Sequence, residues 1–168
     1  MKKKNSILAD RARLLSLNTE KAVQTDLLSV VEFGLFPELY AIDVKYVREV
    51  LTLSELTPVP GTPPFVMGVI GFRGNITSLL NLKILFGLKE RGLTEFNKVI
   101  ILNNGKQEFG IVTDQIIGLM KIPMDDLKEP PLTLTGIGAE FISGTTSSGI
   151  ILLNAEKMLN SEKLIINQ

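Results

Sequence analysis

The chain repeats itself, and that repeat limits what it can fold into more than any other feature. Tyr40-Ala41-Ile42, followed by Val47 and Val50-Leu51, matches Phe109-Gly110-Ile111, followed by Ile116 and Leu119-Met120, without a gap. Each block leads into a proline-punctuated connection, Thr57-Pro58-Val59-Pro60 in one half and Lys128-Glu129-Pro130-Pro131 in the other. Phe65-Val66-Met67-Gly68 is then echoed by Phe141-Ile142-Ser143-Gly144, and Leu79-Leu80-Asn81 by Leu152-Leu153-Asn154. One such match is coincidence, but four in the same order mark a duplicated unit.

The unit is made of short strands. Leu28–Phe36 and Leu39–Asp43 are apolar runs separated by the turn Phe36-Pro37-Glu38. Val99–Leu102 and Phe109–Val112 are joined through Asn103-Asn104-Gly105-Lys106, where Asn-Gly suits a type I′ hairpin. Ser148-Gly149 separates Phe141–Thr145 from Ile150–Leu153. Helical runs are few, at Leu82–Phe86 and Ala155–Leu164, and Asn81 and Asn154 stand where an N-cap oxygen would accept an orphan backbone N–H. The fold class is therefore all-β, with two similar subdomains of about five short strands each. Short strands protect their edges by curling into small barrels. Gly68, Gly71, Gly74, Gly110 and Gly144 fall where such strands must bend. Neither barrel is large enough to be stable alone, so a shared apolar seam is expected.

Residues 1–26 read as an extension and 27–168 as the duplicated domain. Ser6–Leu17 fits an amphipathic helix capped by Ser6, with Leu8, Ala12 and Leu15 on one face and Ile7 and Leu14 beside it; Asn18–Asp26 reads as a linker. Lys2, Lys3 and Lys4 open the chain, but Asp10, Arg11 and Arg13 interrupt the apolar run that a signal peptide would need. The longest apolar stretch, Phe65–Phe72, is too short to span a bilayer, so a cytoplasmic chain is expected.

Composition argues against catalysis. There is no histidine, the commonest general base and metal ligand, and no cysteine, so thiolate metal sites and disulfides are excluded. A hydrolase would need a Ser–Lys arrangement, and no Ser-x-x-Lys stretch sits in a suitable setting. Lysine plus arginine balances aspartate plus glutamate, 18 against 18, which leaves no electrostatic footprint for nucleic acid. The glycines of Gly68–Gly74 lack the following helix of a dinucleotide site. Asp125, Asp126 and Glu129 lack calcium-loop spacing and read as solvated charges. No cofactor and no metal are expected.

Three features stand apart from core building. Asp43–Glu49 alternates charge with Val44 and Val47 at an exposed corner, Asp114–Met120 is its repeat partner, and Arg73 ends an apolar strand where it must find solvent or a carboxylate. At these residues the sequence resembles the CheW family of bacterial chemotaxis coupling proteins. The resemblance rests on Tyr40–Leu51, on Leu56–Gly74, on Gly110–Asp114 and on Leu152–Leu159, and it covers about Leu27 to Asn160. Phe72 departs from the pattern, where leucine is usual, as do Gly71, where asparagine is usual, and Ser78, where proline is common; Asn81 and Asn154 replace a frequent aspartate.

The resemblance implies two interlocked five-stranded SH3-like barrels around a joint core. It also implies a non-enzymatic role, linking the cytoplasmic tip of membrane chemoreceptors to the regulatory domain of the histidine kinase CheA. The protein would then sit at receptor arrays on the inner face of the membrane, touching the membrane only through the receptors. Carried over by position, Val31, Val44, Val47 and Leu119 would line a receptor groove between the repeat copies, while Glu49, Gly68 and Arg73 would form or support the kinase-facing side. Alternatives are an adaptor of the same type in an array serving surface motility or gene regulation, with the N-terminal helix docking in the groove as an internal competitor, and a small-ligand barrel or Ser–Lys hydrolase.

Overall fold

The computed structural model describes residues 26–130 and 137–164, so the expected N-terminal helix, its linker up to Thr25, and Pro131 lie outside the described residues. Five strands and a short helix occur twice in the same order. The first set is β1 (Leu27–Leu35), β2 (Glu38–Asp43), β3 (Val47–Thr52), β4 (Val66–Phe72), β5 (Asn75–Asn81) and α1 (Leu82–Leu85). The second is β6 (Lys98–Asn103), β7 (Glu108–Thr113), β8 (Gln115–Pro123), β9 (Ile142–Thr145), β10 (Ile151–Leu153) and α2 (Ala155–Asn160). The correspondence extends to register. Val31 pairs with Ile42 as Ile100 pairs with Ile111, and the parallel pair Leu152–Ala41 is matched by Leu79–Gly110.

The duplication suggests one subdomain per copy, but the strands are shared differently. The sheets run β8-β1-β2-β10-β9 and β3-β6-β7-β5-β4, so each takes two strands from one copy and three from the other. The crossing points are two tight corners. β2 enters β3 through the 3₁₀ turn Val44–Tyr46, capped by Asp43 Oδ1 accepting from the Lys45 N–H at 2.9 Å, and β7 enters β8 through Asp114 alone. Neither corner contains a residue with the positive φ that a two-residue hairpin requires, so the chain continues across the seam instead of folding back.

Each sheet closes on itself. β3 and β4 are the outer strands of one sheet, and beyond β3 Thr57 exchanges both backbone hydrogen bonds with Val69, at 2.9 and 2.8 Å. Beyond β8, Lys128 does the same with Thr145 on β9, at 2.9 and 2.8 Å. Both closures require a glycine. A Cβ on Gly68 (φ +147°) would lie 2.3 Å from the Thr57 carbonyl oxygen, and one on Gly144 would lie 2.7 Å from that of Lys128. Gly71 meets no such crowding, and Gly110 is confined by the side chains of Leu79 and Val99 rather than by a bend. The two five-stranded SH3-like barrels implied by the resemblance are therefore present and interlocked.

One turn assignment changes. The β6–β7 loop closes through Asn104 N–H to the Gln107 carbonyl at 3.2 Å with only Gly105 at positive φ, so it is not type I′. The pair of left-handed residues that a type I′ turn needs occurs at the β4–β5 tip, in Arg73 (φ 50°) and Gly74 (φ 79°). Both helices begin as expected, with Asn81 Oδ1 accepting from the Lys83 N–H at 3.0 Å and Asn154 Oδ1 from the Lys157 N–H at 2.9 Å. They end sooner than the apolar runs do, because the backbone leaves helical geometry at Phe86 and at Ser161.

The core has three parts. One barrel interior holds Val30, Ala41, Ile122, Ile150 and Leu152, and the other Ile70, Phe72, Leu79, Val99, Ile101 and Val112. The seam between them is larger than both, running from Phe33, Tyr40 and Phe86 through Phe65 and Phe141 to Met158 and Leu159. Tyr40 stacks between Phe33 and Phe86, with ring centroids 6.0 and 5.7 Å away. Burial and the neighbouring Glu38 carboxylate push its hydroxyl pKa far up, and the hydroxyl donates to Glu38 at 3.1 Å. Most apolar burial thus belongs to the seam, as expected for barrels too small to stand alone. Among the described residues no helix is long and apolar enough to cross a membrane.

Candidate functional site

The duplication places two strands, β3 and β8, in equivalent outer positions and gives them different chemistry. Val47 corresponds to Ile116, Arg48 to Ile117, Glu49 to Gly118 and Val50 to Leu119, and both strands alternate half-buried with exposed residues in step. In β3 the exposed positions are Arg48, Val50 and Thr52; in β8 they are Ile117 and Leu119, flanked by Gln115 and Lys121. Leu119 is 78% exposed and Ile117 47%, in adjacent positions on one face. Isolated exposed leucines are common, so the neighbouring pair on this outer strand makes β8 the candidate for a docking surface.

Four residues were expected to form one groove, and three have accessible surface. Val31 and Leu119 are direct partners on β1 and β8, so they share a face. Val31 is only 4% exposed and belongs to the seam, so it supports this surface from below. Val44 and Val47 at the first corner, and Ile116 at the second, are half-buried against the same seam. The two corners do not face each other directly. β1 runs between them, with Val30 paired to Asp43 on one side and to Met120 on the other, while Asp114 donates its N–H to the Gly34 carbonyl at 2.9 Å, four residues along. Ile117 was missed as an individual residue, although the strand alternation of Gln115–Leu119 carries the signal.

The second candidate surface is the β4–β5 tip with the start of β3. Arg73 is held at positive φ, a costly conformation for a non-glycine residue. Its Nη2 and Nε both donate to Glu49 Oε2, at 2.8 and 3.1 Å, and its guanidinium lies 5.5 Å from the Phe72 ring centroid. Arg48 lies 5.4 Å from the same ring, so one aromatic side chain carries two cations. Glu49 and Arg73 are therefore brought together at the surface. Gly68 is not with them: it is buried at the barrel closure, where it supports the strand rather than offering a contact.

Arg48, within the Asp43–Glu49 feature, and Glu108 join this cluster, although neither was named as a site residue. Glu108 accepts from Arg48 at 2.5 Å, from Asn103 Nδ2 at 2.7 Å and from Thr77 Oγ1 at 3.5 Å. Burial opposes its ionisation, but the hydrogen bonds from Asn103 and Arg48 outweigh that and hold its pKa below the usual carboxylate range. A separate ion pair secures the second corner. Lys83 Nζ lies 2.7 Å from Asp114 Oδ2, which also accepts the Phe36 N–H at 2.8 Å; the two side chains are 8% and 19% exposed. This pair braces the corner from within and leaves little charge for a partner.

The comparisons agree with this architecture. The family model described as CheW-like domain matches residues 29–163. The chain is 33% identical to the "Chemotaxis protein CheW" of Treponema pallidum over 150 residues, 85% of this chain and 88% of the relative. It is 29% identical to the protein of the same name from Klebsiella aerogenes over 137 residues, covering 80% of this chain and 82% of that one. Among solved structures, the scaffolding protein TtCheW from Thermoanaerobacter tengcongensis superposes with a TM-score of 0.70 at 30% identity, over 82% of this chain and 91% of that one. A duplicated, strand-exchanged pair of barrels and a family match spanning both copies lead to one assignment: this chain belongs to the CheW family.

Proposed function

We propose that this chain is a chemotaxis scaffold that couples chemoreceptors to a CheA-type histidine kinase in the cytoplasm, by binding and without catalysis. The observation that carries this reading is the difference between the paired outer strands. β8 presents Leu119, paired with the buried Val31, and Ile117, while β3 presents Arg48 and Glu49 beside Arg73, above the buried Phe72. An apolar shelf suits an amphipathic helical hairpin such as a receptor tip, which needs no charge to seat. A charged patch suits a folded domain whose orientation must be fixed.

On this reading Val44, Val47 and Leu119, with Val31 beneath them, take the receptor, and Glu49 and Arg73, on a strand closed at Gly68, take the kinase regulatory domain. Information passes because the receptor's two states differ in how well they bind the complex, which shifts the kinase equilibrium. Single-module contacts of modest area are expected, with roughly micromolar affinity strengthened by repetition in an array. The test is a pair of substitutions read against both partners. Val47→Asp should abolish receptor pull-down and spare kinase binding, and Arg73→Ala should do the reverse. A folded Val47→Asp variant that still captures receptor rules out the groove assignment.

A further inference from the structure

The same β-bulge occurs in both copies, and it frees a different side chain in each. On β3 the register against β6 slips between Val47, opposite Leu102, and Glu49, opposite Ile101, which leaves Arg48 as the extra residue. On β8 the register against β1 slips between Ile116, opposite Phe33, and Gly118, opposite Glu32, which leaves Ile117. A bulge takes its extra residue out of the ladder and re-aims its side chain, which makes that side chain available to a partner.

Arg48 is held by a cluster that the other copy lacks. Glu108 Oε2 accepts from Arg48 and from Asn103 Nδ2, and Thr77 Oγ1 reaches the second carboxylate oxygen. Asn103 and Glu108 pair across β6 and β7 as Gly34 and Leu39 pair across β1 and β2. Thr77 corresponds to Ile150, each two residues before the Leu-Leu-Asn block of its half. Arg48, Glu108, Asn103 and Thr77 thus stand where the other half has Ile117, Leu39, Gly34 and Ile150, none of which offers a side-chain hydrogen bond. The second barrel forms without the cluster, so the fold does not require it.

Within the cluster the acids lie behind the bases. Arg48 is 43% exposed and Arg73 62%, against 17% for Glu108 and 33% for Glu49. Both guanidiniums lie over the Phe72 ring, which is itself buried. An arginine resting on an aromatic and pinned by a carboxylate loses little further freedom when its remaining N–H donors are engaged. This face therefore offers a partner cations, although its formal charges cancel.

We propose that Arg48 is a specificity-determining residue of the kinase-facing surface, receiving a carboxylate of the kinase regulatory domain that the Ile117 bulge could not accept. This assignment rests on that of Glu49 and Arg73 to the kinase, because Arg48 shares the Phe72 ring with Arg73. A charge at the rim of an interface acts on association and partner choice more than on raw affinity, so its loss weakens binding without abolishing it.

The test titrates the full-length chain against the full-length CheA-type kinase of the same organism by calorimetry, at low and at high salt. Arg48→Ile installs the residue that the equivalent bulge already holds, so the variant should fold, and urea denaturation checks that it does. It should weaken kinase binding about tenfold at low salt, and the loss should shrink at high salt, where exposed charges are screened. The substitution also bares Glu108 to the partner's carboxylate, so adding Glu108→Leu should regain about threefold over the single variant. Receptor capture should be unchanged in both. Arg73→Ala tells the two assignments apart. If it and Arg48→Ile both leave kinase binding intact, the kinase-facing surface is misassigned and the role of Arg48 falls with it. If Arg73→Ala weakens binding and Arg48→Ile does not, only the role of Arg48 is overturned. Tighter binding by Arg48→Ile would mean that the kinase presents a cation there, and lost receptor capture would mean that the carboxylate is the receptor's. No recovery in the double variant would mean that Arg48 acts by contact area; each of these three results also overturns the proposal.

Discussion

β3 and β8 descend from one ancestral strand, and their differences separate what the duplication preserved from what it left free to change. The preserved features are closures. Asn81 donates its N–H to the Phe65 carbonyl at 2.7 Å, and Asn154 donates to Phe141 at 2.7 Å; Gly68 and Gly144 admit the crossing backbone on either side. The divergent features are outward side chains, Arg48 and Glu49 against Ile117 and Gly118. A barrel tolerates such exchanges because an outward side chain on an outer strand is not packed, whereas a closure glycine has a carbonyl where its Cβ would be. Two copies of one scaffold can thus present two chemistries, as a bridging protein requires.

The largest effect should come from the closures themselves. Gly68→Ala adds a Cβ 2.3 Å from backbone at φ +147°, and the crowded atoms belong to the Thr57 bridge that closes the barrel, so neither side can yield cheaply. The expected loss is about 3 kcal/mol or more. Gly144→Ala places its Cβ 2.7 Å from the Lys128 oxygen without the positive φ, and should cost about 1–3 kcal/mol. Urea denaturation of both variants ranks the two closures. Equal costs would remove the distinction between them, and a loss below about 0.5 kcal/mol at Gly68 would show that the closure is dispensable.

The next effect concerns the second corner. Lys83→Met leaves Asp114 half-enclosed with only the Phe36 N–H for company, at a cost of about 2–3 kcal/mol, below the range for a fully buried pair because Asp114 retains 19% exposure. Adding Asp114→Asn should recover much of that loss, since no unpaired charge remains. Glu156→Gln, at the equivalent position in the other half, should leave stability unchanged, because no ion pair is lost there. A double-mutant cycle measures the contrast, and additive losses at Lys83 and Asp114 would show that the pair does not brace the corner.

How much of this was legible in the sequence follows from the same division. Local chemistry showed clearly: the strands, the asparagine caps and the repeat are written in short-range patterns, and so was the apolar seam, because neither barrel has enough interior of its own. The strand exchange was not legible, because corner residues such as Val44–Tyr46 and Asp114 say that the chain turns but not which sheet it joins. The crowding at Gly68 was not legible for a related reason, since it comes from Thr57, in the segment beyond β3. The site was half legible. Arg73 stood out as a charge ending an apolar strand, and Leu119 came from the resemblance, within a stretch that ends in apolar residues; Arg48 and Glu108 meet across 60 residues and carry no mark of it locally.

The smallest effect tests whether that long-range cluster is structural as well as functional. Glu108 has a pKa held below its unfolded value, so it contributes stability that is fully present above the ordinary glutamate pKa of about 4.3 and is lost as pH falls through the lower, folded value. Replacing it by glutamine removes the titration but keeps a group that Arg48 and Asn103 can approach. The variant should therefore lose at most about 1 kcal/mol at neutral pH, because the Arg48 partner is exposed and screened by solvent, and it should show a shallower fall in stability below about pH 4. β8 has no counterpart to this acid limb, since Ile117 stands where Arg48 does. If chemical denaturation at pH 3 and pH 7 gives the same stability difference in Glu108→Gln as in the parent, the charged face of β3 contributes nothing to the fold. The contrast between the two strands would then be purely one of surface.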